Sequence, residues 1–140
     1  MSDASLTEKP TIRLLHHMAR SGGTLISRCL GSMQGVCLLS EIHPDGTTHP
    51  KAKRYRLSPL KQAVEWHSLL DPQDLEIFRK DPPSFQQIMW LIEERATAHG
   101  LQLLVRDWSH MDWIGKPLHK PADESRLADC FQDYTVHRHC

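Results

Sequence analysis

Five consecutive residues, Arg20-Ser21-Gly22-Gly23-Thr24, bring together a guanidinium, two hydroxyls and two glycines. Glycines let successive backbone N–H groups aim at one point, and a helix starting at such a turn adds the partial positive charge of its N-terminus. The natural occupant is an anion of phosphate size. No lysine lies in the loop, so the Gly-Lys-Ser/Thr ending of a Walker A motif is absent. Groups able to take a proton from a hydroxyl or amine stand further along the chain: Glu41 and His43 in Leu38-Leu39-Ser40-Glu41-Ile42-His43-Pro44, and His110 in Leu104-Val105-Arg106-Asp107-Trp108-Ser109-His110. Arg106 and Asp107, adjacent and opposite in charge, are expected to pair with each other. His137, His139 and Cys140 have the composition of a metal site, but a cluster of three at the chain end is a weak signal, and no metal is expected.

These residues need a scaffold, and the hydrophobic pattern supplies one. Ile12, Leu14 and Leu15 form a short apolar run that flows into the glycine loop. Leu25, Ile26, Cys29, Leu30 and Met33 then recur at helical spacing, with Gly35 as the expected C-cap. Val36-Cys37-Leu38-Leu39 is a continuous apolar run suited to a buried parallel strand. Strand, loop, helix and strand make a βαβ unit. Residues 43–57, with the basic Lys51, Lys53, Arg54 and Arg56, read as an exposed connection. Ser58-Pro59 opens a helical segment to Leu70, Asp71-Pro72 another to about Lys80, and Ser84 a longer helix that Gly100 stops. In that helix Phe85, Ile88, Met89, Leu91 and Ile92 are the expected core face. Leu101 to Val105 form a third strand, a loop around Gly115 follows, a short helix spans 123–131, and Tyr134-Thr135-Val136 begins a fourth strand. Strands alternating with helices give an α/β fold with a three-layer, mostly parallel sheet and right-handed crossovers. The catalytic candidates then fall at the carboxyl ends of strands, where open α/β sheets bind ligands.

Composition narrows the class. A chain of 140 residues fits one domain, and 39% apolar with 24% charged residues suffices for a core. Lys+Arg and Asp+Glu are both 17, so there is no general nucleic-acid footprint, and any polyanion must be held locally. Residues 1–10 read as a disordered lead before an α/β domain over 11–140. No run of 18 apolar residues occurs, and the four cysteines lack CxxC spacing, so reduced thiols, a cytoplasmic location and no membrane partner are expected.

The string Arg-Ser-Gly-Gly-Thr-Leu, running on to Ser27-Arg28, resembles the 5′-phosphosulfate loop of the sulfotransferase family. There a basic residue, Ser, Gly, a small residue and Thr join the first strand to the first helix. Arg20 then stands at the position of the basic residue, Ser21 and Gly22 match directly, Gly23 replaces a Ser or Thr, and Thr24 is the last hydroxyl. The stretches 38–44 and 104–110 are also similar to bacterial-type members. The resemblance implies a P-loop NTPase-like topology and 3′-phosphoadenylyl sulfate as donor, bound by Arg20, Ser21, Gly22, Gly23 and Thr24. It further implies transfer of a sulfuryl group to a hydroxyl or amine acceptor, with Arg20 stabilising charge and Glu41 or His110 as base. The alternatives are a P-loop small-molecule or nucleotide kinase, with Asp107 as its metal-binding carboxylate, and a truncated non-catalytic relative. Family members hold the donor's 3′-phosphate further along. Arg138 is the candidate here, and the domain is expected to be an N-terminal portion whose sheet is unfinished near Tyr134–Cys140, an edge through which an oligomer could form.

Overall fold

A computed structural model describes residues 11–17, 22–44, 58–78, 81, 83–108, 131 and 134–139. The element order is β1 (Thr11–Leu15), α1 (Gly23–Gly31), β2 (Val36–Ile42), α2 (Pro59–Glu65), α3 (Pro72–Glu76), α4 (Phe85–Ala98), β3 (Gln102–Asp107) and β4 (Thr135–His139). The expected lead 1–10, most of the basic connection, the loop around Gly115 and the helix at 123–130 lie outside the described residues. Helix starts follow the capping logic closely. Ser58 caps α2 with Pro59 in its first turn, and Asp71 with Asp74 and Ser84 with Gln87 form reciprocal capping boxes on α3 and α4. The segments opened by Ser58 and Asp71 end earlier than expected, at Glu65 and Glu76.

All four strands are parallel, in the order β2-β3-β1-β4. Alternation sorts their side chains onto two faces. Ile12 and Leu14, Cys37 and Leu39, and Leu103 and Val105 share one face. They pack with Ala63, Ile88, Met89, Leu91, Ile92 and Ala96 from α2 and α4 in a single buried cluster that Phe131 joins. Burial pushes the Cys37 thiol up to about 11. The other face carries Leu38 and Arg106 and meets α1, so helices lie on both sides of the sheet.

The contact with α1 differs from expectation. Its buried residues are Gly23 and Ser27, while Leu25, Ile26 and Met33 stand in the open and Cys29 is exposed. The cause is distance. A Cβ on Gly31 would come within 3.0 Å of Leu38 Cδ2, so the helix approaches through its small residues and its large ones cannot fit beneath it. The helix ends at Gly31 with Ser32 as cap, and Gly35 instead forms a left-handed turn (φ 79°) whose carbonyl accepts from the Gln102 amide at 2.7 Å.

The edge strand β2 is closed by side chains. Buried Gln62 of α2 accepts from the Ser40 amide and donates to the Ser40 carbonyl, both at 2.7 Å, and His67 Nε2 lies 2.7 Å from the Leu38 carbonyl. A carboxamide thus does for β2 what a neighbouring strand would do. At the opposite edge, β4 pairs with β1 over five residues; Val136 packs against the core and Tyr134 stacks edge-on against Phe131 with ring centroids 5.3 Å apart. The run expected to leave the sheet unfinished is thus its edge strand among the described residues, with Tyr134 and Val136 packed against the core. No helix among the described residues is long and apolar enough to cross a membrane.

Two outcomes follow from these contacts. Gln62→Ala strips both outward-facing backbone groups of Ser40 of their partner and should lower the unfolding free energy by about 1–3 kcal/mol, measured by urea denaturation. Arg95 donates through Nε to Asp74 Oδ1 at 2.9 Å, and this hydrogen bond holds the Asp74 carboxyl below its ordinary value. A depressed native pKa stabilises above the ordinary carboxylate value of about 4, and the contribution is lost as pH falls below it. Asp74→Asn should flatten that acid limb in a pH series of urea midpoints.

Candidate functional site

In the order β2-β3-β1-β4 the strand that follows β1 lies beyond β3 and the strand that follows β3 lies beyond β1, so the chain leaves these two adjacent strands in opposite directions. Such a reversal opens a crevice beyond the carboxyl ends of the strands. Leu15 at the end of β1 is in register with Arg106 of β3, and the residues just beyond them form the site.

Arg106 is buried, and its guanidinium binds in every direction. Nε donates to His17 Nε2 at 2.8 Å, and Nη1 donates to Ser27 Oγ at 3.1 Å and Ser40 Oγ at 3.2 Å. Nη2 donates to Glu41 Oε1 at 3.2 Å, with Thr24 Oγ1 at 3.5 Å. One side chain therefore joins the loop after β1, the first two turns of α1, and β2. The expected pairing with Asp107 does not form. Neighbouring residues on a strand point to opposite faces, and Asp107, also buried, takes His16 Nδ1 on Oδ2 at 2.9 Å. The consecutive pair His16-His17 is thus latched to the consecutive pair Arg106-Asp107.

A backbone irregularity brings Glu41 in. Between Leu39 and Ile42 the β2–β3 register slips, so three steps along β2 match two along β3, and Glu41 takes φ 57°. Regular alternation would send Ser40 and Glu41 to opposite faces. The extra residue re-aims Glu41 beside Ser40, returns Ile42 to the core, and lets both polar side chains reach one guanidinium. A left-handed glutamate costs of order 1 kcal/mol, which the Arg106 ion pair and the Gln62 clamp on Ser40 offset.

The glycine loop opens into this cluster. Gly22 is the N-cap of α1 at φ 83°, a conformation that favours glycine. Gly23 is needed for a different reason, since a Cβ there would lie 2.4 Å from the His17 ring. The first turn has neither a side-chain cap nor an acidic residue. Leu25 and Ile26 bond back to the Gly22 carbonyl, leaving the N–H groups of Gly23 and Thr24 as the donors that an anion could take.

Of the candidates read from sequence, Gly22, Gly23, Thr24 and Glu41 lie at one edge around Arg106. His43 is fully buried. Arg20, Ser21 and His110 lie outside the described residues. Sequence reasoning missed His16, His17, Ser27 and Ser40; two histidines just after the first strand facing Arg-Asp at the end of the third was the available signal. Among the described residues no group of three or more His, Cys, Asp or Glu side chains could hold a metal ion. Comparison with family models, curated proteins and solved structures finds no match for this chain.

Arg106→Lys keeps the charge but not the fork, leaving the buried Ser27 hydroxyl, the half-buried Ser40 hydroxyl and His17 without their donor. A loss of about 2–3 kcal/mol in urea unfolding is expected. Glu41→Gln, which alters only a partly exposed ion pair, should cost at most about 1 kcal/mol.

Proposed function

We propose that the chain binds the phosphosulfate of 3′-phosphoadenylyl sulfate at the loop between β1 and α1, and transfers its sulfuryl group to a hydroxyl or amine acceptor. The observation that carries the reading is the juxtaposition of an uncapped, acid-free helix N-terminus with a carboxylate, Glu41, that Arg106 and a bulge hold at the same sheet edge. The all-parallel order with the glycine loop leaving an inner strand agrees with a P-loop-like topology. The resemblance of Arg20-Ser21-Gly22-Gly23-Thr24 to the family's phosphosulfate loop chooses sulfate over other anions.

The donor supplies the sulfur atom. As the acceptor oxygen or nitrogen bonds to sulfur, the bond from sulfur to the bridging phosphate oxygen breaks and adenosine 3′,5′-bisphosphate leaves. Charge grows on that leaving oxygen, and the N–H groups of Gly23 and Thr24, with Arg20 and Ser21 from the same loop, are the groups suited to meet it. Glu41 receives the acceptor's proton. Its Oε1 is fixed by Arg106, and Oε2 has no partner among the described residues, so one oxygen orients the carboxylate while the other faces the acceptor. Arg106 is a positioning residue, since its donors are already taken up by protein groups. Arg138, in β4 opposite Leu14, is the candidate for the 3′-phosphate, and a cytoplasmic setting suits the free thiols Cys29 and Cys37.

Thermal unfolding with added nucleotides tests the binding step. A ligand at about 100 times its Kd adds about 2.7 kcal/mol of stability. Adenosine 3′,5′-bisphosphate is expected to raise Tm without magnesium. A shift seen only with ATP and magnesium would move the chain to the kinase class, and no shift with either would overturn nucleotide binding. Glu41→Gln should keep the bisphosphate shift and lose sulfuryl transfer.

A further inference from the structure

The contact between Arg106 and His17 fixes the place of a proton. A guanidinium nitrogen donates and never accepts, so Arg106 Nε–H at 2.8 Å from His17 Nε2 requires a bare ring nitrogen there. The imidazole is therefore neutral, with its one proton on Nδ1. The same ring lies against the start of α1, where a Cβ on Gly23 would stand 2.4 Å from both Cγ and Nδ1. His17 follows the end of β1, and Glu41 belongs to β2. These are the two strands that flank β3, so the arginine of the middle strand joins a residue from each side.

We propose that His17 is a positioning residue for Glu41: as a neutral acceptor protonated on Nδ1, it fixes the plane of the Arg106 guanidinium and through it the carboxylate on β2. The guanidinium is a rigid planar fork, so holding Nε as well as Nη1 leaves Nη2 a single direction, and that direction is Glu41 Oε1. The partners differ in how firmly they are held. Ser27 is 2% exposed and Ser40 and His17 are half-buried, whereas the Glu41 side chain is 39% exposed. Deprived of its acceptor, a buried Nε–H turns the guanidinium towards a new one, and the contact that yields is the one nearest water. Ser27 then still docks α1 while Glu41 loses its alignment. His17 thus governs the proton acceptor without touching it. The kinetic consequence rests on the sulfuryl-transfer reading, and the hydrogen-bond geometry stands without it.

Long-range proton–nitrogen NMR spectra of the full chain read the ring directly, with His17 assigned from the signals lost in His17→Gln. Nδ1 should be protonated and Nε2 bare, the tautomer that free histidine disfavours, and a coupling across the hydrogen bond should link Nε2 to Arg106 Nε. A ring protonated on Nε2, or one averaging between tautomers, overturns the proposal, and this measurement decides even where a variant fails to fold. His17→Leu keeps most of the bulk and removes the acceptor. The Arg106 Nε–H should then exchange with water at least about tenfold faster, and the carboxyl carbon resonance of Glu41 should move. His17→Gln, whose carboxamide oxygen accepts at a similar reach, should restore both. No change in His17→Leu, or a change that His17→Gln leaves unrepaired, overturns the proposal. In sulfuryl transfer, His17→Leu should lower kcat about ten- to a hundredfold while keeping the thermal shift from adenosine 3′,5′-bisphosphate, and His17→Gln should recover the rate. An unchanged kcat, or a lost bisphosphate shift, overturns the positioning role. A wild-type chain that neither binds the bisphosphate nor transfers sulfate overturns the assigned reaction instead, and the spectra then decide the role of His17 towards Glu41.

Discussion

One buried guanidinium holds this molecule's functional edge in place. Arg106 has five N–H donors in a rigid fork, and the fold provides an acceptor in each direction: an imidazole after β1, two hydroxyls on α1, and a hydroxyl and a carboxylate on β2. A buried cation is costly unless its donors are satisfied. The elements it contacts are therefore not free to drift, since any one moving away would leave a buried donor unmet. The strength of the arrangement lies in the buried Ser27 hydroxyl and the half-buried Ser40 and His17 partners; the ion pair with Glu41, whose side chain is 39% exposed, orients more than it stabilises.

The second constraint is the outer edge of β2. A slipped register is tolerable only where the backbone groups it disturbs find other partners, and at Ser40 they find the carboxamide of Gln62. The same clamp blunts the edge against pairing with another strand. Gln62 thus links α2 to the position of Glu41 through the backbone of one residue. In the core beyond, Cys37, Leu39 and Ile42 anchor the strand on both sides of the irregularity.

The order of elements, the caps at Ser58, Asp71 and Ser84, and the core face of α4 were all legible, because each rests on local chemistry or on a period of 3.6 or 2. So was the meeting of the glycine loop and Glu41 at one sheet edge, which follows from the parallel topology alone. What could not be read was long-range. Arg106 and Asp107 looked like a pair because they are neighbours, yet a strand sends neighbours apart, and their partners His17 and His16 lie 89 and 91 residues away. The bulge at Glu41 has no glycine to announce it. The apolar spacing of α1 implied a buried face, and the helix-to-sheet distance that decided otherwise is set by Gly23, Ser27 and Gly31, residues that carry no hydrophobic signal.

Those small residues show two demands meeting in one segment. A phosphate-binding turn needs glycine for backbone freedom, and Gly22 at φ 83° answers that. Close docking of α1 needs residues without bulk at every fourth position, and Gly23, Ser27 and Gly31 answer that; Ser27 also places a hydroxyl where Arg106 can reach it. Had α1 buried its leucine, isoleucine and methionine instead, the helix would stand several ångströms further from the sheet. Arg106 could not then bridge from β3 to Thr24 and Ser27, and the carboxylate of Glu41 would lose the group that fixes it. The exposed apolar row is the consequence of bringing a helix N-terminus, a guanidinium and a carboxylate within a few ångströms of one another.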